Sequence, residues 1–126
     1  MALSVARVPR LVAAVTLVGG VGLTVAPRRA AAVMGIGDQP DAARAIGVMD
    51  LALVPGLLRG RPVWPWMVAR ALFNLPVAAA YRSEAQRSGA ALARGGMLAM
   101  LGLTAADAGV ALALRRADRR ARTPAG

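Results

Sequence analysis

Four long apolar stretches, separated by short polar segments, dominate the pattern of hydrophobic positions along the chain. They cover residues 8–26, 42–58, 63–81 and 90–114. None of them alternates as a half-buried strand does, and each is close to the roughly 20 residues that a membrane-spanning helix needs. The pattern therefore predicts an all-α fold: a four-helix transmembrane bundle that forms a single membrane domain over residues 1–126.

The segments between these stretches are rich in turn-forming residues. Residues 27–43 carry Pro, Gly and Asp and predict a loop, in which Asp41 is expected to cap the next helix. Residues 59–62 predict a tight turn, residues 82–88 a second polar loop, and residues 115–126 a basic tail. We expect these segments to lie at the two membrane surfaces.

The first apolar stretch also fits a second interpretation. It follows Arg7 and Arg10 and precedes a run of alanines, as the apolar core of a secretory signal peptide does. However, Arg28 and Arg29 stand just before the candidate cleavage site, where charge is disfavoured, and three more apolar stretches follow. We expect a retained first helix, with a cleaved signal as the alternative.

Composition supports lipid as a second solvent for this chain. Hydrophobic residues make up 57% and charged residues 17%, and the mean hydropathy is +0.53. A soluble domain is nearer about 45–50% apolar and about 25% charged. Cysteine and histidine are both absent, which excludes disulfides, Cys/His metal sites and catalysis by an imidazole. We therefore expect no enzyme activity, cofactor or metal.

The positive charge is distributed as in the loops of a membrane protein. The net charge is +10, and all 16 basic residues are arginines. Four spans would place nine of them on one side and six on the other, which predicts that both termini are cytoplasmic in a multi-pass protein of the inner (plasma) membrane. The nine are Arg7, Arg10, Arg59, Arg61, Arg115, Arg116, Arg119, Arg120 and Arg122, and the six are Arg28, Arg29, Arg44, Arg82, Arg87 and Arg94.

The basic tail predicts an affinity for anionic lipid. Five of its arginines follow directly after the fourth stretch, and such residues attract an anionic surface by about 1 kcal/mol each. The tail has no interleaved aromatic residues and no fold to present it, so nucleic acid is not an expected partner.

Aromatic residues and prolines mark the second and third stretches. Trp64 and Trp66 begin the third stretch and Tyr81 ends it, which is the pattern of an aromatic belt, with ordinary core packing as the alternative.

Pro55 and Pro76 each free a backbone carbonyl, so they predict either simple kinks or discontinuous helices that line a site.

Charged residues inside the apolar stretches are the candidate site. Asp50, Arg70 and Asp107 lie seven or eight residues from the cytoplasmic ends of their stretches, about 10–12 Å deep, and Asn74 is one turn beyond Arg70. Ions at such depth usually face the bundle interior and pair with one another. The cluster either fixes the register of the helices or, with one carboxylate left after Arg70 is paired, binds a proton or cation.

Small residues form a row along the fourth stretch. Their spacing alternates between four and three, which places them on one helix face where backbones can approach closely. This face either packs inside the monomer or forms a seam with another copy or another membrane protein. The row comprises Ala91, Gly95, Ala99, Gly102, Ala106, Gly109 and Ala113, and Thr16, Gly20 and Thr24 form a shorter row in the first stretch.

Several short motifs resemble those of small bacterial four-span membrane proteins, the DoxX-like proteins and a neighbouring family of unknown function. The matching features are Pro27, the sequence Met-Gly-Ile-Gly at residues 34–37, and Arg-Ala-Ile-Gly-Val-Met-Asp-Leu at residues 44–51. In those relatives an Arg-Asp pair begins the second helix, and Met49 takes the place of its arginine here. The resemblance implies a four-helix membrane bundle and a respiratory or quinone-linked accessory role.

Three functions are compatible with these features. The small-residue row and the lack of a catalytic set favour a non-enzymatic accessory or scaffold protein. The intramembrane carboxylates are the basis for the alternative of a small proton-linked transporter. The quinone-linked accessory role rests on the resemblance alone.

Overall fold

The computed structural model describes residues 4–123. These residues contain five α-helices and no strand, which confirms the all-α prediction. A 3₁₀ turn, Val5–Arg7, leads into the first helix. The helices are α1 (Val8–Val25), α2 (Pro27–Met34), α3 (Pro40–Arg59), α4 (Trp64–Ser88) and α5 (Ala91–Arg122).

The short helix α2 corrects the predicted loop over residues 27–43. The amides of the first helical turn have no hydrogen-bond partner within the helix, so a proline costs nothing there. Pro27 therefore begins α2 instead of ending a helix. The helix ends at Gly35, whose φ of 75° is left-handed, and the amide of Ile36 donates to the carbonyl of Ala31 over 3.0 Å. The loop is thus confined to residues 35–39.

The start of α3 also differs from the prediction that Asp41 caps it. The helix begins at Pro40, so Asp41 lies inside the first turn and makes no side-chain capping hydrogen bond. Its negative charge is still favourable there, since the helix dipole is positive at that end.

The polar segment 82–88 is the last part of α4 and not a loop, so that prediction was wrong. Residues 82–88 contain no proline or glycine, and Gly89 ends α4 with a φ of 66°. The hydroxyl of Ser88 donates to the carbonyl of Glu84 over 2.9 Å, and Glu84 forms an ion pair with Arg87 on the same helix. The segment is a solvated end of the helix.

The basic segment after residue 114 likewise continues the helix. α5 extends to Arg122, and Arg122 Nε donates to Asp118 Oδ1 over 3.2 Å one turn earlier. Residues 124–126 of the predicted tail lie outside the described residues.

The long helices pack as two antiparallel pairs, α1 with α3 and α4 with α5. Gly20 and Gly47 bring α1 and α3 close together: a Cβ on Gly47 would lie 2.8 Å from the carbonyl oxygen of Gly20. The short row of small residues on α1 is therefore a packing contact inside the protein. Small residues permit this approach because their side chains leave the two backbones unobstructed.

Two apolar clusters fill the interior, one toward each end of the helix pairs. The first cluster lies near α2 and comprises Leu23, Ala31, Ile36, Ala43, Val77, Tyr81 and Ala93. The second lies near the turn between α3 and α4 and comprises Ala13, Leu53, Leu57, Met67 and Ala111.

Pro55 and Pro76 do not interrupt their helices. α3 and α4 continue through both residues, so the interpretation that these helices are discontinuous is wrong. The two prolines are exposed on the outer surface, away from the interior.

Two helical segments of the described residues are long and apolar enough to cross a membrane, where the sequence predicted four. They are Val5–Val25, which includes α1, and Ala91–Arg122, which is α5. α3 and α4 do not meet the same criterion of length and apolarity.

Candidate functional site

Asp107 is the centre of a polar cluster in the otherwise apolar interior. It projects from the middle of α5 and is 3% exposed. Its Oδ2 atom accepts a 2.8 Å hydrogen bond from Asn74 Nδ2 and forms an ion pair with Arg70 Nη1. Arg70 and Asn74 are four residues apart and therefore share one face of α4. One carboxylate oxygen thus receives a charged and a neutral donor from a single face.

A third helix joins the cluster through Thr16. Arg70 Nε donates to Thr16 Oγ1 on α1 over 3.3 Å, so the guanidinium connects α1 with α5. Thr16 is buried, and it lies eight residues into α1, about 12 Å along the helix axis. The spacing of small residues places Thr16 in a packing row with Gly20 and Thr24, although it is the only polar side chain in the middle of α1. That isolation, at the same depth as Arg70, is the signal that identifies it.

Asp50 lies apart from this hydrogen-bonded group. It is half-buried on α3 at the crossing with α1, where a Cβ on Gly20 would lie 3.1 Å from Asp50 Cβ. Within residues 4–123 its carboxylate makes no hydrogen bond and no ion pair with Arg70. The sequence predicts a cluster of two aspartates around one arginine, whereas the structure pairs Arg70 with Asp107 and leaves Asp50 beside this pair.

The polar cluster separates the two apolar clusters of the interior. On α4, Met67 belongs to one apolar cluster and Val77 to the other, with Arg70 and Asn74 between them. Thr16 has the corresponding place on α1, and Asp107 on α5. Because the groups must meet to satisfy one another, the cluster permits only one relative register of these three helices.

This arrangement is suited to holding helices together. Within the described part of the chain, no three Asp or Glu side chains come close enough to hold a metal ion. Among residues 4–123, the serine and threonine hydroxyls that form hydrogen bonds bind backbone groups or Arg70, and none of them is hydrogen-bonded to an acidic side chain. Among residues 4–123, Asp50 is the acidic side chain of the interior that forms no ion pair or hydrogen bond.

The aromatic residues of α4 do not form a single belt. Tyr81 is 4% exposed and donates a 2.7 Å hydrogen bond from its hydroxyl to the carbonyl of Met34 at the end of α2. It is a core residue, so the belt interpretation is wrong for Tyr81. Trp66 is 37% exposed, and the guanidinium of Arg115 lies 5.2 Å from the centre of the Trp64 ring. The two tryptophans alone keep the surface position that the belt requires.

The small-residue row of α5 faces away from the protein. Its seven members are exposed, and the buried residues Ala93, Asp107 and Ala111 lie on the opposite face. A Cβ added to Gly95, Gly102 or Gly109 would meet no atom within 4 Å. The interpretation that this row packs inside the monomer is therefore wrong. We refer to it below as the small-residue face of α5.

Comparison of the chain with protein-family models, with curated proteins and with solved structures gives no match. The resemblance to DoxX-like proteins therefore stays a prediction based on the short motifs.

Proposed function

We propose that this chain is a multi-pass protein of the inner (plasma) membrane, a four-helix transmembrane bundle of α1, α3, α4 and α5 that acts as a non-enzymatic accessory or scaffold subunit. Both termini are cytoplasmic in this proposal, following the distribution of arginines. The observation that carries the scaffold role is the exposed small-residue face of α5.

The outward surface of α1 supports the membrane location. Between residues 11 and 25 the only polar side chains are Thr16 and Thr24. Thr16 accepts from Arg70, and Thr24 donates to the carbonyl of Gly20 over 2.7 Å. Large apolar side chains cover the outer face, among them Val15, Val18 and Val25 at 70–77% exposed. Water is a poor solvent for such a surface, whereas lipid is a good one.

The apolar surface of α5 also supports the membrane location. Over residues 95–114, about 30 Å of helix, the only polar side chains are Thr104 and Asp107. Thr104 donates to the carbonyl of Met100 on its own helix, and Asp107 is buried in the polar cluster. Only 11% of the most apolar stretch of α5 is buried within the protein, which is far too little for the core helix of a soluble domain.

In this proposal α3 and α4 also span the bilayer, beside α1 and α5. α3 packs along α1 and α4 along α5, so spans formed by α1 and α5 would hold both at membrane depth. Their charged residues support this placement. Between Arg44 and Arg59 the only polar residue of α3 is Asp50, and the two arginines can extend to the membrane surfaces. On α4, Arg70 is satisfied inside the protein.

The small-residue face favours a helix partner over a ligand. In lipid, helices associate through close backbone packing, because lipid tails are as apolar as leucine and supply no hydrophobic driving force. A face of glycine and alanine that the protein's own helices leave uncovered is suited to a transmembrane helix of a partner protein or of a second copy. This is the interaction expected of an accessory or scaffold subunit.

The test compares two equivalent substitutions on α5. Gly102→Leu places a large side chain in the small-residue face, whereas Ala105→Leu adds the same bulk at an exposed position beside Leu98 and Leu101. The protein is purified in mild detergent, and its mass and its co-purifying proteins are measured by native mass spectrometry. We expect Gly102→Leu to lose the assembly and Ala105→Leu to retain it. Equal behaviour of the two variants, or a wild-type monomer without partners, would contradict the scaffold role; solubility without detergent would contradict the membrane location.

Asp50 favours a second candidate function, a small proton-linked transporter. Its carboxylate is half-buried, lies at the depth of the Arg70–Asp107 pair and has no partner among residues 4–123. A proton or cation could therefore be exchanged at Asp50 without breaking the ion pair that connects α4 and α5.

Transport is tested in proteoliposomes that contain a pH-sensitive dye. The transporter hypothesis predicts a proton flux that disappears in Asp50→Asn and persists in Asp118→Asn, which removes a carboxylate from the exposed end of α5. A flux that is unchanged by Asp50→Asn, or no flux above that of empty liposomes, would exclude this function.

A further inference from the structure

An outward-facing groove between α4 and α5 combines an apolar wall with a cation at one end. Its volume is about 270 Å³, and its wall includes Val68 and Leu72 of α4 and Ala108 and Leu112 of α5. Arg115 and Trp64 lie at its end near the turn between α3 and α4. This shape and polarity fit a molecule with a long apolar part and a negatively charged head.

The wall of the groove offers almost no hydrogen-bonding group. Its one polar side chain before Arg115 is Thr104, whose hydroxyl donates to the carbonyl of Met100 over 2.8 Å. Val68 and Leu72 are 37% and 62% exposed, so the groove is open on the outer surface. An occupant of this wall is therefore apolar.

The cation at the end of the groove is the guanidinium of Arg115, which is held in place by Trp64. The guanidinium of Arg115 lies 5.2 Å from the centre of the Trp64 ring, a cation–π distance that keeps the side chain at the groove. Arg115 has no ion-pair partner among the described residues, and the nearby Asp118 is paired with Arg122. The positive charge of Arg115 is available to an anion from outside the protein.

We propose that this groove binds an anionic glycerophospholipid, with one acyl chain along the apolar wall and the phosphate at Arg115. The inference rests on the membrane location proposed above. From Thr104 to Arg115 the groove is eleven residues long, about 16 Å, which matches one leaflet of a hydrocarbon core of about 30 Å. A single lipid therefore spans the groove from its headgroup to the middle of the bilayer.

A neighbouring cavity explains why the head is anionic. This cavity of about 420 Å³ adjoins the groove at Trp64 and is lined by Arg61 and Arg122, and Asp118 is the only acidic residue that residues 4–123 contribute to it. Because Asp118 is paired with Arg122, the surroundings of the lipid head carry a net positive charge. A zwitterionic head would bring a second cation into this environment and is disfavoured.

The experiment titrates the full chain in detergent with phosphatidylglycerol or with phosphatidylcholine of the same acyl chains, and counts bound lipids by native mass spectrometry. Arg115→Gln removes the charge at the groove. Arg120→Gln is the matched control, since it removes the same charge from the opposite face of α5, five residues away. Ala108→Leu fills the wall, and circular dichroism checks that each variant retains its helices.

We expect phosphatidylglycerol to bind more tightly than phosphatidylcholine. Arg115→Gln should weaken phosphatidylglycerol binding about fivefold, which corresponds to about 1 kcal/mol for one arginine at an anionic surface. Arg120→Gln should leave this binding unchanged, and Ala108→Leu should reduce the binding of both lipids because it obstructs the acyl chain.

Three results would overturn the lipid site: equal losses in Arg115→Gln and Arg120→Gln, equal affinity for the two lipids, or no effect of Ala108→Leu. A protein chain that is retained in wild type and released by Ala108→Leu would assign the groove to a partner helix and also reject the site. Failure of the membrane proposal is distinguishable, because the wild-type protein would then be soluble without detergent.

Discussion

The most direct test of the polar cluster is the substitution Asp107→Asn. Asparagine keeps the size of the side chain and an oxygen that can accept from Asn74, but it removes the counter-charge of Arg70. The side chain of Arg70 is only 11% exposed, so water cannot solvate its charge in place of the lost carboxylate. Loss of one partner of a buried ion pair costs about 3–5 kcal/mol, and the retained hydrogen bond places this variant near the lower limit, about 3 kcal/mol.

The assay is reversible unfolding in mixed micelles of mild detergent and dodecyl sulfate, followed by circular dichroism. Asp118→Asn is the control, because it breaks the pair with Arg122 on the same helix, where the side chains are 32% and 68% exposed. Exposed pairs of this kind contribute about 0–1 kcal/mol, and we expect a correspondingly small change. The free energy of unfolding should therefore fall much more in Asp107→Asn than in Asp118→Asn.

A double-mutant cycle with Arg70→Met separates the ion pair from other effects of each substitution. If the two charges stabilise each other, the double variant loses less stability than the sum of the single variants. Coupling energies between polar groups inside membrane proteins average about 0.6 kcal/mol and reach about 1.7 kcal/mol, and a charged pair should lie toward the upper value. Zero coupling, or equal effects of Asp107→Asn and Asp118→Asn, would refute the structural role of the cluster.

Three further substitutions test the packing and the separate status of Asp50. Gly47→Ala should lower the free energy of unfolding by about 1–3 kcal/mol, because its Cβ would lie 2.8 Å from a backbone oxygen; Gly19→Ala, with no atom within 4 Å, is the control and should not destabilise. Tyr81→Phe should cost about 1 kcal/mol by removing the hydrogen bond to Met34, measured in the same titration, and an unchanged stability would show that this bond is not formed. Asp50→Asn should leave stability the same or slightly higher, since a half-buried charge without a partner is lost; a fall of more than about 1 kcal/mol would reveal a partner for Asp50.

The positions of the long helices could be predicted from the sequence because Pro and Gly punctuate the apolar stretches. The errors occur in two segments that were predicted as loops, residues 27–34 because Pro, Gly and Asp are frequent from residue 27 to 43, and residues 82–88 because they are polar. Both segments are helical, since a helix ends where the backbone is forced out of its geometry. Gly35 and Gly89, both with positive φ, mark those ends.

The distances of Arg70, Asn74 and Asp107 from the ends of their helices were sufficient to predict that they meet, because charges at the same depth can pair with each other. Depth could not separate the two aspartates, since Asp50 and Asp107 lie at similar levels and only the rotation of each helix determines which one meets Arg70. The sequence also could not show whether the small-residue row faces the interior or the outer surface. A face of glycine and alanine packs equally well against a helix of the same chain or of another one.

The connectivity of the Arg70–Asp107 pair has a consequence for how the chain is made. Its two charges are on consecutive helices, so the hairpin of α4 and α5 neutralises its own ions, and α1 adds only the hydroxyl of Thr16. If the chain spans the bilayer as proposed, α4 alone would carry an unpaired arginine into hydrocarbon during biosynthesis. We therefore expect the ribosome-bound chain to keep α4 at the insertion machinery until α5 emerges, and the two helices to enter the lipid as one unit.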